Sequence, residues 1–388
     1  MHAHNQLNFL EPAESRSPEN RLQLTLDLDS ARNKGYLTHN FHPYSAKFIP
    51  QIPRAILNAY AEPGSTVLDP FCGSGTVAVE ALLRGHRCLV SDLNPIAVLI
   101  TRAKVCQITS EDEREINGLL LKLRTDLSGN RRSLPTFKNI SHWFTPRMIE
   151  ELSCIKDAIL ELTPESAAQL LALTAFSAII VKCSRQESET RWVAVTKHHS
   201  HRFAFSCFEQ KLVDMSRRAR ALRDLAQGNV DVFQANANSL QHAPNQSIDI
   251  VITSPPYLNS YDYYLYHKLR MFWLDYNHYA VQEQEIGSRH RHCDKNESVE
   301  SYVSAMAGCF LEIARVLKPN GILAIVIGDS IYKGLLIDMS EIYQNLALAT
   351  AFRLVERFDY DQRKYTLAFT RGYKTIPKKT HILVFQGR

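Results

Sequence analysis

A chain of 388 residues with 45% hydrophobic and 22% charged residues has enough apolar content for a large folded core, which excludes an intrinsically disordered chain. Its formal charge of +5 permits a polyanionic partner without requiring one. The eight cysteines stand singly, with no C-x-x-C pair, which argues against a zinc ribbon or a thioredoxin-type site. The longest nearly unbroken apolar run, Gln169 to Lys182, falls short of the roughly 20 residues a membrane helix needs and reads as a buried helix. Free thiols suit a reducing compartment, and the opening Met1-His-Ala-His-Asn5 lacks the apolar stretch of a secretory signal, so a cytoplasmic protein is expected.

In chain order, residues 1–37 are polar and Ser/Pro/Glu-rich near Glu14 to Arg21, and read as an N-terminal arm. Residues 38–105 hold the first strand signal, Ser65-Thr-Val-Leu-Asp69. It is followed by the turn Pro70-Phe-Cys-Gly-Ser-Gly75, a helix from Thr76 to Arg84, and a second strand, Cys88-Leu-Val, ending at Ser91-Asp92. Strand, glycine turn, helix, strand is the βαβ unit of a parallel α/β sheet. Residues 106–228 carry little strand signal. Glu150 to Leu162, Glu165 to Val181 and Ser206 to Ala226 space apolar residues three and four apart, so the segment reads as a helical insertion.

Strand signals resume in 229–388, at Val230 to Phe233 and Ile248 to Ile252, the latter running into Thr253-Ser-Pro-Pro-Tyr257. The polar stretch from Asn277 to Glu300 reads as a mobile loop. A helix from Tyr302 to Leu317 follows, stopped by Lys318-Pro-Asn-Gly321. Ile322 to Ile327 is continuously apolar, as in a strand buried on both faces, and Phe352 to Phe358 and Thr380 to Phe385 are the last two strands.

Glycines at a strand-to-helix turn let a ligand approach the backbone and the helix N-terminus. Asp92, at the end of the next strand, can accept both hydroxyls of a ribose. Gly73-Ser-Gly75-Thr-Val-Ala78 also fits the G-x-G-x-x-A dinucleotide fingerprint. Asp69 and Pro70 intervene between strand and glycines, however, and no second pattern for hydride chemistry appears.

Asp69-Pro-Phe-Cys-Gly-Ser-Gly-Thr76 resembles the cofactor motif of the DNA amino-methyltransferases, and Phe41 to Pro50 resembles the family element beside the cofactor's methionine end. The resemblance spans roughly 38–105 and 229–388. It implies a class I S-adenosylmethionine-dependent methyltransferase fold: a Rossmann-like, mixed seven-stranded sheet, here with a helical insertion. It further implies S-adenosylmethionine as cofactor, with S-adenosylhomocysteine as product. The site it implies is Lys47, Phe48, Asp69, Pro70, Phe71, Gly73, Gly75, Thr76, Asp92 and Thr253, with Asn236 on the adenine.

Ser254-Pro255-Pro256-Tyr257 follows a buried-type strand, where paired prolines cannot continue a central sheet strand. An exocyclic amine is a poor nucleophile because its lone pair is delocalised into the ring. The Ser254 hydroxyl and the Pro255 carbonyl can accept its two N–H bonds and expose the lone pair, and proline fixes the carbonyl's direction. Tyr257 offers an aromatic face to an extruded base. In the family, Ser at the first position accompanies cytosine N4, and Asp or Asn adenine N6. Cytosine C5 chemistry needs a cysteine after a proline, and none of the eight cysteines follows one.

For nucleic acid, the aromatic and basic stretch with Tyr261, Tyr263 and Lys268 suits stacking and phosphate contact, although tyrosines packed on a sheet would look the same. Arg289 and Arg291 lie in the polar loop. Arg185, Lys197 and Arg202 form a basic cluster near Trp192, which a plain solvated face would also explain. Stretches 361–364 and 374–379 add charge. No cysteine or well-placed carboxylate completes a metal set with His198, His199 and His201, so no metal is expected.

The expected partners are double-stranded DNA with a flipped base and a cognate restriction endonuclease, with no membrane, in a prokaryotic, nucleoid-associated setting of restriction–modification or host marking. Methylation of adenine N6 or of RNA, and a non-catalytic nucleic-acid-binding relative, are the alternatives.

Overall fold

The computed structural model describes residues 35–125, 135, 137–361 and 378–388. Most of the expected N-terminal arm and the basic positions 362–364 and 374–377 lie outside the described residues. Seven strands form one sheet: β1 (Thr66–Asp69), β2 (Arg87–Asp92), β3 (Asn229–Gln234), β4 (Ile248–Thr253), β5 (Leu317–Gly328), β6 (Phe352–Tyr360) and β7 (Thr380–Gly387). Their spatial order is β6-β7-β5-β4-β1-β2-β3. Strands β3, β2, β1, β4 and β5 are parallel, and β7 is antiparallel to β5 and β6. This is the mixed seven-stranded α/β sheet that the sequence leads one to expect.

Period-two alternation along these strands sends apolar side chains to both faces. Val67, Ile250, Ile252, Ala324, Val326, Ile382 and Val384 pack on one face with the helices Gln51–Tyr60 and Thr76–Leu83. Leu68, Val251, Leu323, Ile325, Ile327, Leu383 and Phe385 pack on the other with the helices Val299–Val316 and Met339–Ala349. Each fully buried aliphatic side chain contributes about 1.5–3 kcal/mol relative to exposure, so double-sided burial explains why these strands read as continuous apolar runs.

The chain winds to opposite sides of the sheet from β1 and from β4, and a crevice opens at their carboxyl ends, where ligands of such sheets bind. The register Val67↔Ile250 and Leu68↔Val251 brings these two ends side by side.

The segment 106–228 is mainly helical, with long helices Ser110–Thr125, Pro146–Ile159, Ala167–Cys183 and Phe203–Arg223. The helix Pro146–Ile159 begins earlier than apolar spacing suggests, because Thr145 caps it, and Ala167–Cys183 begins slightly later, capped by Ser166. A short hairpin, Gln186–Ser188 with Arg191–Ala194, was not expected. The interior of the segment also takes in Phe41, Leu99 and Ala103 from before it and Leu269 and Trp273 from after it, so it shares one core with its flanks.

One further expectation needs correction. The stretch Asn277 to Glu300 is not a plain loop: Asn277 caps the helix His278–Gln284, a π-turn spans His290–Asp294, and Val281 and His292 are buried. Its few apolar residues hid the pattern. The helix Val299–Val316 stops before Lys318 to Gly321 as expected, and that stretch opens β5, with Asn320 at φ 61°. The helix Met339–Ala349, capped by Asp338, was missed.

Candidate active site

The glycine turn leaves β1 at Asp69 and enters the helix at Thr76. Gly73 and Gly75 sit at φ 49° and 74°, the left-handed region. At Gly75 the demand is also steric, since a Cβ would lie 2.7 Å from the Thr101 side chain. Thr101 donates to the Gly73 carbonyl at 3.2 Å, and the fully buried Lys104 donates to the Ser74 carbonyl at 2.5 Å. The turn is held from behind by the helix Pro95–Val105.

Asp69 is buried and accepts from the Thr253 hydroxyl at 2.7 Å and from the Phe71 amide at 3.2 Å. That first bond joins residues 184 positions apart. The glycine turn and the Ser-Pro-Pro-Tyr segment therefore meet at one sheet edge. Asp92 accepts from the Gly73 amide and the Asn94 amide, each at 2.8 Å. Burial pushes the Asp69 carboxyl up to about 7, against the pull of its two hydrogen bonds and with a push from Asp92. Burial also raises Asp92 to about 6, against its backbone hydrogen bonds.

A cleft open to solvent lies over this edge. Of the residues expected to bind a cofactor, Lys47, Phe48, Asp69, Pro70, Phe71, Gly73, Thr76, Asp92 and Asn236 line it. Two do not. Thr253 is fully buried and acts on the cleft through Asp69, and Gly75 shapes the turn. Burial, then the neighbouring Lys211, pulls the Lys47 amine down to about 8.

In the tetrapeptide, Ser254 and Pro256 line the cleft. The Ser254 hydroxyl donates to the Val326 carbonyl at 3.0 Å, and Tyr302 donates to the Pro256 carbonyl at 2.9 Å. Pro255 is buried behind the lining. The Tyr257 ring lies so close to β5 that a Cβ at Gly328 would meet it at 2.8 Å, and it does not line the cleft. The aromatic wall is instead Tyr44 and Tyr263, stacked with ring centroids 5.6 Å apart, with Tyr261 5.6 Å beyond. Tyr44, Tyr302, Gln284 and Glu285 were not singled out from the sequence. Tyr44 alone carried a signal, lying within Phe41 to Pro50.

The basic residues expected at nucleic acid are mostly turned toward the protein. Arg185 donates to the Ser141 and His142 carbonyls, Lys197 to those of Val181 and Gln186, and Arg202 to that of Leu123. Arg291 pairs with Glu297 at 2.9 Å and reaches the Glu283 carbonyl. Free carbonyls around helix ends attract cations, which by itself clusters basic residues in sequence. Lys268 lies over the Trp192 and Phe272 rings at 5.7 and 5.9 Å. Tyr263 is part of the cleft wall, and Arg289 is exposed with no hydrogen bond or ion pair among the described residues.

His199 stacks on Phe203 with centroids 4.2 Å apart. Asp329, Asp338 and His381 bring their ligand atoms within 4.8 Å of one another. Both His381 ring nitrogens are already engaged by carboxylates, Asp329 at 2.9 Å and Asp359 at 2.8 Å, which leaves no lone pair for a metal.

M.MvaI, a type II methyltransferase of Kocuria varians, is 30% identical over 267 residues, 63% of this chain; the chain spans 59% of the length of M.MvaI. M.MjaII, a type II methyltransferase of Methanocaldococcus jannaschii, is 22% identical over 405 residues, covering 80% of this chain and 76% of the relative. Among solved structures, the rRNA methyltransferase AviRa of Streptomyces viridochromogenes superposes with a TM-score of 0.34 at 13% identity, covering 92% of each chain. The N6_N4_Mtase family, described as DNA methylase, matches residues 12–102 and 248–380, so this chain belongs to that family.

Proposed function

We propose that the chain transfers a methyl group from S-adenosylmethionine to the exocyclic N4 amine of cytosine at a specific DNA site, with the base flipped out of the duplex. The cleft suits the cofactor. Gly73 brings backbone to its floor, Asp69 and Asp92 supply carboxyls, and Phe48, Phe71 and Pro70 supply apolar surface for a nucleoside. When bound, the cofactor supplies a methyl already activated on a sulfonium.

The observation that carries the reading is the bond from Ser254 to the Val326 carbonyl. A hydroxyl has one proton, and here it is spent on the sheet. Its oxygen also meets the Tyr257 hydroxyl, and what it leaves for the cleft is a lone pair, which suits an amine N–H. In this reading the Pro255 carbonyl takes the second N–H, and the clamp of Tyr302 on Pro256 keeps that segment in place. The task of the chain is to grip the amine and align it, which is preorganisation rather than covalent chemistry. Tyr44 and Tyr263 are better placed than Tyr257 to wall a bound ring.

The names of the two relatives, type II methyltransferases, support a restriction–modification setting with a cognate endonuclease. The helical segment 106–228, which lies between the family's two matched stretches, is assigned to target recognition, with the exposed Arg289 available for phosphate.

The test is incubation with labelled cofactor and unmodified genomic DNA, then mass spectrometry of the digested nucleosides. N4-methylcytosine is expected, and N6-methyladenine alone would overturn the choice of base. Ser254→Ala should lower kcat by about 10²-fold and leave cofactor affinity intact; equal loss of both would remove Ser254 from the transfer step.

A further inference from the structure

Glu285 follows directly on the helix His278–Gln284, and its amide closes that helix by donating to the Val281 carbonyl at 2.9 Å. Its side chain turns inward. The residue is 7% exposed and lines the cleft. One carboxyl oxygen, Oε1, accepts the Tyr263 amide at 2.8 Å. The other, Oε2, is buried with no hydrogen-bond partner among the described residues. Buried polar atoms in folded proteins are nearly always paired, and one left open in a binding cleft points to a group that arrives with the ligand.

Asp92 offers the contrast. Each of its oxygens already carries a backbone amide, from Gly73 and from Asn94, and these bonds fix the glycine turn. Each of those oxygens keeps a further lone pair, so a ligand hydroxyl can still bond there beside the turn that the amides hold. Glu285 stands close enough to Asp92 for the charge of Asp92 to raise its carboxyl further. Beside it on the cleft wall lie Gln284 and Asn236, whose amides meet at 3.4 Å. These four residues form the side of the cleft opposite in character to the apolar Phe48, Phe71 and Pro70.

We propose that Glu285 is a further binding residue, which takes one hydroxyl of the ligand's ribose diol through Oε2 while Asp92 takes the other. The assignment rests on the cofactor reading above. A diol suits this pair better than a cation does. Burial, followed by the charge of Asp262, holds the Glu285 carboxyl well above the usual carboxylate range, against the pull of the Tyr263 and Tyr264 amides. Burial disfavours a free charge there, and the open Oε2 is an acceptor that a hydroxyl O–H matches.

The test is calorimetric titration of wild type, Glu285→Gln and Glu285→Ala with S-adenosylhomocysteine and with its 2′-deoxy and 3′-deoxy analogues. Wild type should prefer the full diol over at least one analogue by about tenfold. Glu285→Ala should bring that preference within about threefold, and the near-isosteric Glu285→Gln, which keeps the fold and a donor, should retain part of it. An alanine variant with the full wild-type preference overturns the assignment of Glu285 and leaves the cofactor reading standing. A wild type that binds none of the three overturns both.

Discussion

Removing one oxygen atom from Tyr302 should separate the holding of the tetrapeptide from the chemistry it performs. The Tyr302 hydroxyl, in a side chain only 1% exposed, donates to the Pro256 carbonyl at 2.9 Å and shares a 2.8 Å hydrogen bond with the Tyr343 hydroxyl. Tyr302→Phe deletes both bonds and opens almost no space. Each buried hydrogen bond is worth about 1 kcal/mol net, and each group left unsatisfied costs about 1–3 kcal/mol, so a loss of about 2–4 kcal/mol is expected. Urea denaturation measures it, with an unchanged m-value expected because the fold is kept. The Pro256 carbonyl also loses the donor that fixes the direction of the chain between Ser254 and Tyr257. Misplacement of reacting groups by about 1 Å can cost 10²-fold, so kcat should fall by about 10- to 100-fold while cofactor affinity stays within about threefold. Tyr343→Phe is the control: it removes the neighbouring hydroxyl and leaves the bond to Pro256, so stability should fall by about 1–2 kcal/mol with kcat nearly unchanged. If Tyr302→Phe, assayed where it is fully folded, turns over at the wild-type rate, the reasoning is refuted and Tyr302 is a core residue only.

Two further predictions concern the glycine turn. The Asp69 carboxyl titrates at about 7 in the fold against an ordinary 3.8, raised first by burial. A folded value above the unfolded one means that its contribution to stability is fully present below about pH 4 and is lost as the pH rises through 7. Asp69→Asn keeps acceptors for Thr253 and Phe71 and cannot ionise. It should match wild type in urea at pH 4 and exceed it at pH 8, and a difference that does not change with pH would contradict the assignment. Gly75→Ala combines a left-handed backbone, about 1–2 kcal/mol for a residue with a Cβ, with overpacking against Thr101 of about 1–3 kcal/mol. A loss of about 2–5 kcal/mol is expected by denaturation, and a stability within 0.5 kcal/mol (about the scatter of neutral surface changes) would show that the turn relaxes.

The parts of the site legible in the sequence are those whose demands are local. Gly73 and Gly75 announce a backbone no other residue adopts as easily, Pro255 and Pro256 announce the end of a strand, and strands buried on two faces write themselves as apolar runs. Asp69 and Asp92 were readable because each ends such a strand. Glu285 was not, since its meaning comes from the Tyr263 amide 22 residues away and from what its second oxygen lacks. Nor was Tyr302, which looks like any buried tyrosine of an amphipathic helix until its hydroxyl is seen on Pro256. The contacts of the basic residues were hidden for a related reason. Lys197 and Arg185 sit in a cation-rich stretch, and only the folded chain reveals that both also bond backbone carbonyls.

The interior that joins the helical segment to its flanks restricts what the molecule can exchange. Phe41 and Leu99 on the glycine-turn side and Trp273 on the tetrapeptide side are buried in that segment's own centre, and Arg270, beside Trp273, is pinned to Glu189 of its hairpin at 2.5 Å. Such a segment cannot be lifted out and swapped as a cassette, because excision would open both walls of the catalytic crevice. Substitutions that leave this shared interior intact are therefore confined to the segment's exterior.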